Sequence, residues 1–100
     1  TQLMYAENPF LSQSAADWLV AQQIKALGLD FSVDSAEQNS VPLSERFPIH
    51  RTFLGHGIPL IENLCNLEEI DCDEFIFVAL PLKLYRCNGA PARAIAILDW

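Results

Sequence analysis

The chain has 100 residues, 51% of them hydrophobic, with a formal net charge of −7 and an isoelectric point near 4.5. That length and apolar content support one domain at most, with an adequate core. Only 6 Lys and Arg are present, too few for the clustered basic footprint that phosphates require, so no nucleic-acid partner is expected. No apolar run approaches the roughly 20 residues of a membrane-spanning helix and no basic patch suits a lipid surface, so no membrane partner is expected either.

Residues 1–11 show no hydrophobic period, and Asn8-Pro9 biases the chain toward a turn, which predicts a connecting arm. Ser14-x-x-Asp17 resembles a capping box with Asp in place of Glu. Ala16, Val20, Ile24 and Leu27 recur on one face, predicting an amphipathic helix that ends near Gly28, where positive φ is cheap. Trp18 is expected to pack this helix against its sheet, and a short strand is expected over residues 29–31. Residues 32–48 turn to Ser, Asp, Glu, Gln, Asn and Pro, with Pro42 and Pro48 excluding a continuous helix, which predicts a long loop leading into His50. Ligands favour strand ends in open α/β sheets, so Asp30 and Asp34 are candidates for facing a cleft, with loop capping as the alternative.

Residues 50–55 predict a helical turn, 58–61 a strand and 67–70 another turn. Residues 75–80 form an unbroken apolar run, expected to be a strand covered on both faces, and residues 92–98 predict a further strand. A single helix covers only one face of such a strand, so something beyond this chain is expected against it. Cys65, Cys72 and Cys87 are odd in number and fit neither a CxxC pair nor a zinc ribbon. They read as reduced, buried or half-buried thiols, which favours a cytoplasmic setting.

His50 and Glu62 lie twelve positions apart, separated by the helical turn, the Gly55/Gly57 break and a short apolar strand that together can fold them toward one point. An imidazole lone pair and a carboxylate oxygen suit one edge of a zinc or manganese site, whereas the plain alternative is two unrelated surface groups. Asn63 would either orient a ligand from behind or stabilise a turn. Arg51 would pair with a carboxylate or lie solvated, and His56, between two glycines, is expected to be exposed and structural. No Gly-x-Ser-x-Gly elbow, phosphate loop or dinucleotide fingerprint is present, which removes serine-hydrolase, NTPase and dehydrogenase readings.

The words around these residues carry a resemblance. His50-Arg51 with Glu62-Asn63-Leu64, Ala79-Leu80-Pro81-Leu82-Lys83-Leu84, and Asn88-Gly89-Ala90-Pro91-Ala92-Arg93-Ala94 resemble the C-terminal part of the cyclase-like metal-dependent hydrolases, the family of bacterial kynurenine formamidase and isatin hydrolase. It extends over roughly residues 9–98. The family's metal motif, His-x-Gly-Thr-His-x-Asp-x-Pro, belongs to its N-terminal half and does not occur in this sequence.

The resemblance implies an α/β fold, the C-terminal portion of a cyclase-like swivelling α/β domain with a mixed sheet packed against helices. Residues 1–100 would form that part of a single domain, the N-terminal metal-motif half being absent. It implies His50 and Glu62 as ligands of a divalent metal, zinc first and manganese second, with Asn63 behind them and no catalytic residue assigned within the chain itself. For the complete protein it implies an amidohydrolase of the kynurenine formamidase kind, as used in tryptophan catabolism. Its partners would be a small-molecule amide, the missing half of the fold and a second copy in a homodimer. The alternatives are ring opening of a cyclic amide, as in isatin hydrolase, and a non-catalytic binding or assembly module.

Overall fold

A computed structural model describes residues 8–35 and 40–99. Most of the arm expected over residues 1–11 lies outside the described residues, as do residues 36–39 of the long loop. The chain forms two compact units, Thr1–Asn63 and Leu64–Trp100.

The first unit opens with helix α1, Gln13–Ala21. Its N-cap is Ser12, whose side chain accepts from the Ala15 backbone N–H, so the capping box expected at Ser14 and Asp17 is not formed. Asp17 instead accepts from Gln13 Nε2 at 2.8 Å. The helix stops well before Gly28, because Gln23 already takes φ +57°, and a left-handed residue there breaks the i to i−4 ladder. Ala16 is fully buried, whereas Trp18 is 61% exposed and does not serve as the packing anchor expected of it.

Strand β1, Leu27–Gly28, pairs in parallel with β2, Leu60–Ile61, in the register Leu27 to Leu60 and Gly28 to Ile61. Gly28 is thus a strand residue rather than a helix terminator. The ladder is lengthened by Leu27 N–H donating to Pro59 and Leu29 N–H donating to Ile61, both at 3.0 Å.

Between these strands lie a 3-10 turn, Leu43–Glu45, and helix α2, Pro48–Gly55. Pro48 at the first helical position has the fixed φ a helix needs and no N–H to leave orphaned. At the other end Ile58 N–H donates to Phe53 and Gly57 N–H to Leu54, both at 3.0 Å, with Gly57 at φ +72°. This is a Schellman closure, in which glycine takes the left-handed position at little cost and the next residue folds back on the last turn. It sends Ile58 into the core beside Phe53, and the core of the unit is Ala16, Leu29, Val33, Ile49, Phe53 and Ile58. Gln13 Nε2 donates to Thr52 Oγ1 at 2.9 Å, tying α1 to α2.

The second unit holds a 3-10 turn, Leu67–Glu69, and an antiparallel ribbon of β3, Ile76–Pro81, and β4, Ala92–Ile97. Directly opposed residues share a face. Ile76, Val78 and Leu80 therefore lie with Ile97, Ile95 and Arg93, while Phe77, Ala79 and Pro81 lie with Ala96, Ala94 and Ala92. The strand expected to be covered on both faces is not covered within the described residues: Leu80 is 66% exposed, and Ile76, Phe77, Ile95 and Ile97 are exposed as well. The three cysteines are free thiols, as expected, but exposed rather than buried.

Candidate functional site

Both parallel strands deliver their following residues to one place. After β1 the chain runs through Ser32, Val33 and Asp34, and immediately after β2 comes Glu62. The carboxyl ends of parallel strands are where α/β folds gather functional groups, because the diverging connections leave a crevice there. Val33 anchors the first segment: its side chain is fully buried, and its carbonyl accepts from Leu11 N–H at 2.9 Å.

With Val33 held inward, its neighbours meet the site. Val33 N–H donates to Glu62 Oε1 at 2.7 Å, and Ser32 Oγ donates to the same oxygen at 3.0 Å. Two donors on Oε1 leave Oε2 turned toward His50, whose Nε2 lies 3.1 Å away. His50 and Glu62 are thereby brought together at one point, both half-buried, with side-chain exposures of 26% and 21%.

Asp34 completes the arrangement. Its Oδ1 accepts from Ile49 N–H and its Oδ2 from His50 N–H, both at 3.0 Å. These are the N–H groups of the second and third helical residues of α2, the ones a capping side chain ordinarily satisfies. The N-cap residue itself, Phe47, sits at φ +56° and offers no side-chain cap. A carboxylate arriving from the other loop fills that role, where the helix dipole favours negative charge. The same Oδ2 also contacts His50 Nδ1 at 2.7 Å, and the Asp34 side chain is only 3% exposed. Asp34 was a candidate for either the cleft or a cap, and it caps the helix while touching His50. Phe47 meets the His50 ring edge-on, with centroids 5.8 Å apart.

Each ring nitrogen of His50 therefore faces a carboxylate oxygen, and ionised carboxylates accept only. A ring proton on Nδ1 would satisfy Asp34. The close pair of Nε2 and Glu62 Oε2 then needs a proton between them, on either group, or a cation shared by the two atoms. This donor chemistry fits two ligands of a divalent metal. Among the described residues no group of three or more His, Cys, Asp or Glu is assembled that would hold the ion alone.

The remaining candidates separate from this point. Arg51 donates to the Ser44 carbonyl and, at 3.1 Å, to the Leu43 carbonyl, so it ties down the 3-10 turn rather than a carboxylate. His56 caps the end of α2 and its Nδ1 lies 2.7 Å from the Thr52 carbonyl, in keeping with an exposed structural role. Asn63 has φ +55° and is exposed, which favours the turn function over the ligand-orienting one. Asp30 is exposed. Ser32 and the Val33 N–H carried no sequence signal as site groups, because what recruits them is the route of the chain after β1.

No family model matches the chain. It is 37% identical over 78 residues to a kynurenine formamidase of Polaromonas naphthalenivorans, a match covering 77% of this chain and 32% of that protein. It is 33% identical over 89 residues to the kynurenine formamidase of Bacillus cytotoxicus, covering 87% of this chain and 39% of that one. Its backbone superposes on the solved structure of a potential metal-dependent hydrolase with cyclase activity at a TM-score of 0.73 and 29% identity, covering 91% of this chain and 42% of the other. The chain thus spans about a third to two fifths of the length of the relatives it matches. By sequence it is similar to part of the kynurenine formamidases, and by backbone to part of a metal-dependent hydrolase with cyclase activity.

Proposed function

We propose that the chain supplies one side of a divalent-metal site in a hydrolase that cleaves an amide or formamide carbon–nitrogen bond, with His50 and Glu62 as its ligands. The observation that carries this is the 3.1 Å approach of His50 Nε2 to Glu62 Oε2. Two donors on one tetrahedral zinc, each about 2.0–2.1 Å from the metal, lie about 3.3 Å apart. Imidazole with carboxylate suits zinc first and manganese second. The other ligands would come from the part of the fold beyond this chain, where the resemblance puts the His-x-Gly-Thr-His-x-Asp-x-Pro motif, so that residues 1–100 act as the C-terminal part of one domain.

A divalent metal held there would supply Lewis-acid chemistry, activating water at neutral pH and polarising an amide carbonyl. The residues of this chain do the holding: Ser32 and Val33 N–H fix one oxygen of Glu62 and aim the other at the ring, and α2 presents His50 from its first turn. The exposed aliphatic face of the β3–β4 ribbon supports a partner that covers it, which we assign to the rest of the same fold. A homodimer and a small amide substrate follow the resemblance.

N-formylkynurenine is the leading substrate, because both quoted curated relatives are kynurenine formamidases. Cyclic-amide ring opening is the second enzymatic reading, and a non-catalytic assembly module is the rival of another class. Turnover of N-formylkynurenine by the complete protein, with metal content measured before and after chelation, tests the proposal. Chelator-sensitive hydrolysis supports it, and a metal-replete protein inactive on formamides and cyclic amides alike sinks it in favour of the module.

A further inference from the structure

We infer that Asp34 is a positioning residue for the metal edge: it holds the proton of His50 on Nδ1, so that Nε2 presents its lone pair toward Glu62 and the ion. The inference rests on the ligand reading of His50 and Glu62 given above. Neither the relatives nor the spacing of the pair points to it. What points to it is the double attachment of one buried carboxylate oxygen to the backbone N–H and the ring of the same histidine, at 3.0 and 2.7 Å.

A free neutral imidazole exchanges its proton between the two nitrogens, and only one tautomer can ligate through Nε2. Both ring nitrogens face carboxylates, but the Asp34 contact is the shorter, 2.7 against 3.1 Å, and its oxygen is fixed by the His50 backbone N–H, so the single proton of the neutral ring sits on Nδ1. Because Oδ2 is also fastened to the His50 backbone N–H and Oδ1 to Ile49 N–H, the acceptor cannot swing away from the ring without uncapping α2. Tautomer, ring direction and helix start are set by one side chain. Metal-bound histidines ordinarily pass their second ring N–H to such an acceptor, and losing that acceptor costs roughly 10–100-fold in metal affinity.

The experiment compares zinc affinity of the complete protein, by competition with a chromophoric chelator, among wild type, Asp34→Asn and His50→Ala. The His50 tautomer is read by long-range ¹H–¹⁵N correlation in the metal-free protein. Asn keeps one acceptor oxygen for the helix cap but places an NH₂ group where Oδ2 or Oδ1 stood. The neutral amide oxygen that receives His50 N–H holds the Nδ1 proton less strongly than the carboxylate does, which releases the ring proton to Nε2, where the Glu62 carboxylate accepts it. The expected result is a folded Asp34→Asn protein, judged by circular dichroism and a cooperative melt, with zinc affinity reduced roughly 10–100-fold and the His50 proton moved to Nε2. Wild-type affinity or an unmoved tautomer in Asp34→Asn overturns the positioning role. If His50→Ala loses zinc while Asp34→Asn does not, that role alone falls. If His50→Ala keeps wild-type zinc affinity, the ligand reading falls and takes the positioning role with it.

Discussion

His50 and Glu62, twelve residues apart in sequence, meet at 3.1 Å through Nε2 and Oε2, and neither is free to turn aside: Glu62 is pinned by two donors and His50 by its place in the first turn of α2. The approach brings two groups of one chemical preference, both seeking positive charge, into contact within a half-buried recess. His50→Ala and Glu62→Gln are therefore expected to abolish stoichiometric zinc in the complete protein and to cut amide turnover by more than ~100-fold, beyond the loss usual for a group that merely supports a ligand. His56→Ala, which changes only a helix-terminal contact, is expected to keep metal and activity. Elemental analysis alongside kinetics on the three variants checks this.

Phe53 is fully buried at the centre of the first unit, and its carbonyl also receives the fold-back from Ile58. Phe53→Ala is expected to cost about 3–5 kcal/mol, through lost burial and the cavity left behind. Denaturant unfolding followed by intrinsic fluorescence would measure it, and a loss under 1 kcal/mol would show that the core is built around another side chain.

Asn63 occupies a left-handed conformation next to Glu62. If its task is the turn, Asn63→Gly keeps zinc affinity and stability, while Asn63→Val loses about 1–2 kcal/mol to strain at positive φ. Should Asn63→Gly instead weaken zinc binding by tenfold in a protein of unchanged melting temperature, the side-chain amide supports the metal after all.

Leu80 and Ile95 share the aliphatic face of the ribbon and are exposed within the described residues. Replacing either by Ser at a true surface would change stability by less than about 0.5 kcal/mol. Cover by the rest of the fold predicts about 1.5–3 kcal/mol per residue in the complete protein, the value of burying such a side chain. Equilibrium unfolding of the single variants distinguishes the two.

The sequence carried the strands near residues 76 and 92, the helical turn at His50 and the pairing of His50 with Glu62, because local apolar runs and the quoted motif words depend little on distant contacts. It misplaced the end of α1. Gly28 is the residue that favours a positive φ, yet Gln23 adopts one, and the glycine is drawn into the parallel pair. Trp18 was expected to pack the helix against its sheet, but α1 is too short to bury more than one stripe, and Ala16 occupies that stripe. Asp34 could not be ranked above Asp30 from composition. What separates them is four residues of chain direction after β1, fixed by Val33 entering the core, and no pattern of residue types encodes that turn.

The backbone amides of Val33, Ile49 and His50 all end on carboxylates of the site, Val33 on Glu62 and the other two on Asp34. Their exchange with deuterated solvent is thus a built-in gauge of that region. An event that releases Glu62 should speed exchange at Val33 alone, whereas release of Asp34 should unprotect Ile49 and His50 together. Three amide peaks in one spectrum then tell which half of the recess has opened, with neither metal nor substrate present.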